Sequence, residues 1–375
     1  MSSSIPVCAP PEVGRNLLGL DCDGIARSAP ELTRPAFRSA ALYRWMYRRR
    51  ETDFARMSDL PAALRARLAG RLRIAWPEIA STAVSADGTH KHLLALEDGE
   101  RVEAVYIPQP SGRITLCLSS QVGCALGCRF CRTAQMGFSR DLTPGEMVGQ
   151  ALRLEERHRL RPPYNIVFMG MGEPLLNLDS VMAAFRILAD PQGVGVAARR
   201  ITVSTAGHVP GIRRLAEMHP RPRLAVSLNS STDRARSDLM PINRRWPLAE
   251  LTAACREFAA AGRERVTFEY VVLRGVNDSS ADARRLVTLL SRLRCKVNLI
   301  PYNPIGGEEF RRPPAGELEK LRRGLVAHGV PASVRWSKGV DIGAACGQLW
   351  WASRQGAGHG SGPAPPAIGG TMPGD

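Results

Sequence analysis

The chain has 375 residues, 51 Lys+Arg against 35 Asp+Glu for a formal charge of +16, and 44% hydrophobic residues. No run of about 18 apolar residues occurs, which excludes a membrane-spanning helix, and the first residues lack the basic start and apolar core of a secretion signal, so a cytoplasmic protein is expected. The basic excess favours a polyanionic partner, because neutralising phosphates releases counterions; an arginine-rich composition without any nucleic-acid role is the bland alternative.

Residues 1–15 are mostly small or apolar and contain proline, and are expected to be a disordered N-terminus. In 16–80, Phe37, Ala41, Leu42, Trp45 and Met46 recur near helical spacing and Leu60 to Leu72 forms a second such stretch, which predicts a small N-terminal helical accessory domain. Residues 81–110 read as a β linker carrying Glu103, with short apolar runs broken at Asp87-Gly88 and Asp98-Gly99, both hairpin signals. From 111 to 351 strand-like runs (114–119, 165–170, 201–205, 224–229, 266–273, 296–301, 332–336) alternate with helix-like ones (144–158, 179–189, 209–218, 247–261, 280–293, 315–328). Thr143, Pro144 and Glu146 form a strong helix start. Six or seven strand–helix units predict an α/β fold with a parallel sheet, either a barrel or an open Rossmann-type sheet, with ligands at the C-terminal strand ends in both cases. The Gly-, Pro- and Ala-rich residues 352–375 are expected to be a disordered tail.

Nine cysteines, at 8, 22, 117, 124, 128, 131, 255, 295 and 346, are an odd number in a long chain without an export signal. Metal binding or catalysis is therefore favoured over a disulfide framework. Cys124, Cys128 and Cys131 lie in one short segment just after the first strand of the alternating region, where a loop can aim three thiolates at one soft metal centre. A cubane needs one ligand per iron, so three cysteines leave one iron open for a substrate. Gly123 and Gly127 are expected to let the backbone pass close to the sulfurs. Zinc would favour a second Cys-x-x-Cys pair, and none is nearby. Three incidental core cysteines at this spacing are improbable.

The C-x3-C-x2-C pattern resembles the radical S-adenosylmethionine (SAM) superfamily. The stretch 124–150 (CALGCRFCRTAQMGFSRDLTPGEMVGQ) resembles the RlmN/Cfr family of RNA adenine methyltransferases. GMGEP (170–174), STAG (204–207), SLN (227–229), residues 272–278, PYNP (301–304) and DIGAACGQL (341–349) extend that resemblance from about residue 35 to 350. It implies a partial TIM-like (β/α) barrel over 111–351 with a small N-terminal helical domain. It also implies a [4Fe–4S] cluster on Cys124, Cys128 and Cys131, and two SAM molecules per turnover.

By the same resemblance, SAM binds the open iron and meets Gly172, Glu173, Ser204, Ser227, Leu228, Asn229 and Asn303, with Glu173 accepting from its ammonium group. Without the resemblance these would be turn and cap residues. Cys346, in the small-residue loop 343–347, is the implied methyl carrier. Cys117 is its implied resolving partner, and Glu103 the implied proton acceptor. Taken singly, the two cysteines would be inert and buried, and the glutamate solvent-facing. A carboxylate in a partly apolar strand can also act as a base.

A ring carbon bearing hydrogen in adenine is electrophilic, so direct methylation by SAM is not feasible. The implied route first methylates the Cys346 sulfur. A 5′-deoxyadenosyl radical then takes hydrogen from that S-methyl group, and the carbon radical adds to the base. Loss of an electron and a proton, with attack by Cys117, releases product and leaves a Cys117–Cys346 disulfide, which cellular thiols reduce. The implied product is adenine methylated at C2, with C8 second, in 23S ribosomal RNA, transfer RNA or both.

The target base must be unstacked to be reached. Arg44, Arg48, Arg49, Arg50 and the segment 234–245 are candidate phosphate contacts, or else a solvated face. A monomer served by an electron donor such as flavodoxin or ferredoxin, with no membrane partner, is expected. Asp141, Lys338 and Gly343 depart from the common family pattern. Another radical SAM activity, or a non-catalytic Fe–S or zinc RNA-binding module, are the competing readings.

Overall fold

A computed structural model describes residues 14–32, 37–262, 264–305, 309–345 and 347–349. The stretch 1–13, the tail 352–375 and Cys346 lie outside the described residues. The N-terminal region holds α1 (Cys22–Ser28), α2 (Phe37–Tyr43) and α3 (Ala62–Ala69). Asp21 caps α1 by accepting from the Gly24 N–H at 2.7 Å.

The two expected helical stretches form as α2 and α3, and the helix breaks between them. α2 widens into a five-residue π-helical turn at Arg44–Arg48, the chain reverses at Arg50 with a positive φ of 60°, and a short 3-10 turn follows at Phe54–Arg56. The break has a tertiary cause. The Arg50 guanidinium turns inward, donating to both carboxylate oxygens of Glu155 at 2.7 and 3.0 Å and to the Val194 carbonyl.

One ten-stranded sheet dominates the rest: β1 (Glu78–Val84), β2 (His90–Ala95), β3 (Arg101–Pro108), β4 (Ile114–Cys117), β5 (Asn165–Phe168), β6 (Ile201–Thr205), β7 (Arg223–Ser227), β8 (Val266–Val272), β9 (Cys295–Pro301) and β10 (Ala332–Val334). The strands lie in chain order across the sheet. β1 to β4 pair antiparallel through the two expected hairpins and the β3–β4 turn, and β4 to β10 pair parallel. Sequential order decides between the two expected architectures. Right-handed crossovers that always step the same way put every helix on one face and curve the sheet into a barrel arc, whereas a doubly wound sheet reverses direction midway.

The covering helices are α4 (Pro144–His158), α5 (Leu178–Ala189), α6 (Val209–Glu217), α7 (Asp233–Leu239), α8 (Leu248–Gly262), α9 (Ser280–Leu290) and α10 (Ala315–Val326). α4 starts as expected, with the Thr143 hydroxyl accepting from the Glu146 N–H while the Glu146 carboxylate accepts from the Thr143 N–H. Ile201, Val203, Leu224, Val226, Phe268 and Tyr270 are fully buried on the outward face beneath these helices. Their neighbours Thr202, Ser204, Ala225, Ser227, Thr267 and Glu269 lie on the opposite, concave face by strand alternation. That face is the more polar one, so it lines a site rather than a core. No described helix is long and apolar enough to cross a membrane.

Candidate active site

The concave face opens on a cleft at the C-terminal strand ends. Cys124, Cys128 and Cys131 line it together with Gly172, Glu173, Ser204, Ser227, Asn229 and Asn303. The structure thus brings all but one of the expected SAM contacts to the cysteine loop. The exception is Leu228, fully buried in the core. Its backbone serves the strand ends instead, donating to Glu269 O at 2.9 Å and accepting from Arg236 Nε at 2.9 Å.

The three thiols fit a thiolate-bound metal cluster. Burial pushes the Cys124 thiol up to about 12 and raises Cys128 and Cys131 as well. Among Cys124, Cys128 and Cys131, mutual repulsion adds to the rise at the first two. Such a set becomes ionised when a metal binds it. The Leu126 N–H points at the Cys124 sulfur, and the Thr133 and Ala134 N–H groups point at the Cys131 sulfur, where they offset charge on bound thiolates.

The glycines of this loop work differently from the expectation. Gly123 has φ +74, and a Cβ there would sit 1.9 Å from the Gly137 carbonyl oxygen. Its close approach is therefore to the returning chain, where Gln121–Gly123 pairs with Phe138–Asp141, and not to a sulfur. A Cβ on Gly127 would make only an ordinary contact with the Pro241 ring at 3.8 Å, and its φ of +65 makes it a turn requirement.

GMGEP leaves the end of β5. Gly172 has φ +101, and a Cβ on it would meet the Gln121 Cβ at 2.5 Å. Gln121 Oε1 accepts from the Glu173 N–H at 2.8 Å, and Gln121 Nε2 donates to Asp141 at 2.7 Å. Asp141, one of the departures from the family pattern, is thereby tied into the loop. The Glu173 carboxylate is almost completely buried and accepts from the N–H groups of Leu175 at 3.1 Å and Ala206 at 2.7 Å. Burial outweighs these bonds and raises its pKa to about 7. Asn229 adopts the left-handed conformation at φ +54, with its Oδ1 accepting from the Val271 N–H at 2.8 Å.

Sequence reasoning missed the brace under these strand ends. Arg236 is fully buried on α7 and donates to the carbonyls of Ala206, Ser227 and Leu228 and to Asn243 Oδ1, at 2.6 to 3.0 Å. Burial lowers its pKa to about 10, and the nearby Cys128 raises it. Arg236 is therefore not a phosphate contact, and neither is Arg50, whose side chain is sequestered against Glu155. Both were candidates by charge alone. Arg48, Arg49, Arg234, Arg244 and Arg245 are exposed, and Arg44 is half-buried.

Glu103 and Cys117 do not line the cleft wall but share its face. Register partners run Lys91–Val105–Cys117–Val167–Thr202 across β2 to β6, so these side chains and Glu103, two residues from Val105, point to the same side. Glu103 is buried, and its neighbour is an ammonium group: Lys91 Nζ lies 2.9 Å from Glu103 Oε1 and 3.3 Å from the Gly343 carbonyl. Ser119 anchors this corner. Its hydroxyl donates to Glu103 O at 2.7 Å and accepts from the Met171 N–H at 2.9 Å, while Gln150 on α4 pairs with both of its backbone groups. Lys91, Gln121, Gln150 and Arg236 carry no local sequence signal, because each is defined only by a partner distant in the chain.

Comparison with known proteins agrees with this geometry. Residues 118–287 match the model of the radical SAM superfamily, and residues 15–74 that of a ribosomal RNA large subunit methyltransferase N-terminal domain. The dual-specificity RNA methyltransferase RlmN of Syntrophotalea carbinolica is 50% identical over 84% of this chain and 83% of its own length. That of Anaeromyxobacter sp. is 46% identical over 96% of both chains. The crystal structure of a radical SAM methyltransferase from Sphaerobacter thermophilus superposes with a TM-score of 0.83 at 44% identity, covering 89% of this chain and 99% of that one. The chain belongs to the RlmN family within the radical SAM superfamily, whose cofactors are a [4Fe–4S] cluster and SAM.

Proposed function

We propose that this protein methylates a ring carbon of adenine, C2 ahead of C8, in 23S ribosomal RNA and transfer RNA. The supporting observation is the convergence of Cys124, Cys128 and Cys131 with Gly172, Glu173, Ser204, Ser227, Asn229 and Asn303 on one cleft, in a chain whose relatives are dual-specificity RNA methyltransferases. Cys124, Cys128 and Cys131 hold the cluster, which when bound supplies the electron that cleaves SAM. Glu173 receives the SAM ammonium group, and Gly172 lets Gln121 pack close enough to hold the Glu173 N–H. Ser204, Ser227, Asn229 and Asn303 orient the remainder, on strand ends that Arg236 fixes. Cys346 carries the methyl group, Cys117 resolves the adduct, and Glu103 accepts the proton lost from the base. A monomer, a flavodoxin- or ferredoxin-type electron donor and a cytoplasmic location complete the reading. The exposed arginines Arg48, Arg49, Arg234, Arg244 and Arg245 are suited to phosphate contacts.

The test is anaerobic incubation of reconstituted protein with SAM, reductant and separate 23S ribosomal and transfer RNA, followed by nucleoside mass spectrometry. The expected product is 2-methyladenosine from both RNAs. 8-Methyladenosine alone overturns the regiochemistry. Deoxyadenosine without any methylated base overturns the substrate and favours another radical SAM reaction, and no SAM cleavage at all favours a binding module.

A further inference from the structure

Three of the chain's seven histidines converge outside the cleft. His90 and His92 are two apart on β2, so both imidazoles lie on the sheet face opposite Lys91 and Glu103. His158 is the last residue of α4, which covers that face. The donor atoms of the three rings all lie within 4.8 Å of one another.

We propose that His90, His92 and His158 form a structural binding site for one divalent transition-metal ion of the zinc class, independent of the cysteine cluster. The ligand chemistry is already arranged. His92 is fully buried, and its Nδ1 lies 2.9 Å from Thr82 Oγ1 on β1, an outer partner that fixes the ring and leaves Nε2 as the donor. That Nε2 stands 2.8 Å from His158 Nε2. His90 Nδ1 is buried without a hydrogen-bond partner, which is costly for a ring nitrogen unless something binds it. A tetrahedral ion with Zn–N bonds of about 2.0–2.1 Å spaces its nitrogens roughly 3.4 Å apart, so a small opening of the His92–His158 pair admits it.

The surroundings suit a cation that is neither free nor reactive. The C-terminal carbonyls of α4 present the negative end of the helix dipole to the site. The Tyr106 ring stacks on His158 at 3.9 Å and walls off one side. Arg157 is an adjacent cation, and it acts against the site. Three imidazoles with a water in the fourth position make a nitrogen–oxygen set that suits zinc. Its effect is to clamp β2 against α4, and so to hold Lys91, which lies between the two strand ligands and faces Glu103 from the other side.

The experiment uses the full chain with its cysteine cluster anaerobically reconstituted, so that the cysteines are occupied by iron. Zinc sulfate is added and excess removed. Zinc and iron are then quantified, and zinc K-edge absorption gives its ligand shell. One zinc per chain in a nitrogen/oxygen shell is expected. His90→Gln and His158→Gln are expected to lose at least nine-tenths of the zinc while iron stays at the wild-type level. Zinc absent from the wild-type protein, zinc with sulfur neighbours, or zinc retained in both variants overturns the proposal and leaves an imidazole–tyrosine stack. The wild-type zinc count and ligand shell decide the matter even if a variant fails to fold.

Discussion

Lys91 Nζ stands 2.9 Å from Glu103 Oε1, joining neighbouring strands of the hairpin on the face that also carries Cys117. The same ammonium reaches the carbonyl of Gly343, three residues before Cys346 in the chain. One side chain therefore ties the proposed proton acceptor to the loop of the proposed methyl carrier. Removing one partner of a buried pair typically costs about 3–5 kcal/mol. Lys91→Met should accordingly lower the melting temperature and reduce methyl transfer more than tenfold. Glu103→Gln keeps the shape without the basic oxygen. It should stay folded, cleave SAM, and accumulate a covalent protein–RNA species on denaturing gels. Normal turnover by Glu103→Gln would remove it from the mechanism.

Glu173 sets a pH dependence for SAM binding. Burial raises its free-state pKa to about 7, so the carboxylate that meets the SAM ammonium group becomes protonated as pH falls through 7. Binding a cation there must then release a proton. SAM affinity should fall about tenfold per unit below pH 7, as measured by equilibrium dialysis on reconstituted protein. Glu173→Gln should bind weakly with a flat acid limb, and an unchanged acid limb in that variant would assign the titration elsewhere.

What was legible in the sequence was local. The Thr143–Glu146 capping box lies within one helical turn, and β6 and α4 were bounded correctly because their apolar periods and stop signals are contiguous. α1 carries no such signal, because Cys22–Ser28 is short with no strong apolar stripe, and the turn at Arg50 between the two helical stretches carries none, because only Glu155, about a hundred residues away, reveals why the chain reverses there. Charge alone also misassigned Arg50 and Arg236, since a guanidinium satisfied by buried partners has the same sequence signature as one facing solvent. The choice between an arc and a doubly wound sheet depended on strand order, which alternation of elements does not encode.

The paired cysteines separate early from late failure. Cys346→Ala removes the proposed carrier and should give no methylated RNA. Cys117→Ala should stop later, with RNA covalently held by the protein. Ribonuclease digestion and intact mass of each variant distinguish the two, and clean turnover by either would refute its assignment.

Gly172 tests the packing of the proposed SAM site. A methyl group there meets the Gln121 Cβ at 2.5 Å and is held at φ +101, a conformation costing a non-glycine residue roughly 1–3 kcal/mol. Gly172→Ala should therefore displace Gln121 and the Glu173 N–H it holds. At least a tenfold loss of SAM affinity is expected, with four irons per chain retained. Loss of iron along with SAM binding would show that the damage reaches the cysteine loop.

Arg50 and its neighbours distinguish structural from RNA-binding arginines. Arg50 and Glu155 are paired with side-chain exposures of 6% and 0%, and Glu155 also accepts from the Tyr164 hydroxyl at 2.6 Å. Arg50→Met should therefore destabilise the fold by about 3 kcal/mol or more, seen in denaturant unfolding, without changing the salt dependence of RNA binding at a temperature where the variant is folded. Arg48 and Arg49 are exposed, and Arg49 stacks on Trp45 at 3.9 Å with only a surface partner in Asp59. Replacing both with glutamine should leave stability within about 0.5 kcal/mol but lower the slope of log affinity against log salt by roughly one to two units, since each phosphate contact to single-stranded RNA contributes about 0.7. An unchanged slope would move the RNA path away from this turn and toward the exposed Arg234, Arg244 and Arg245.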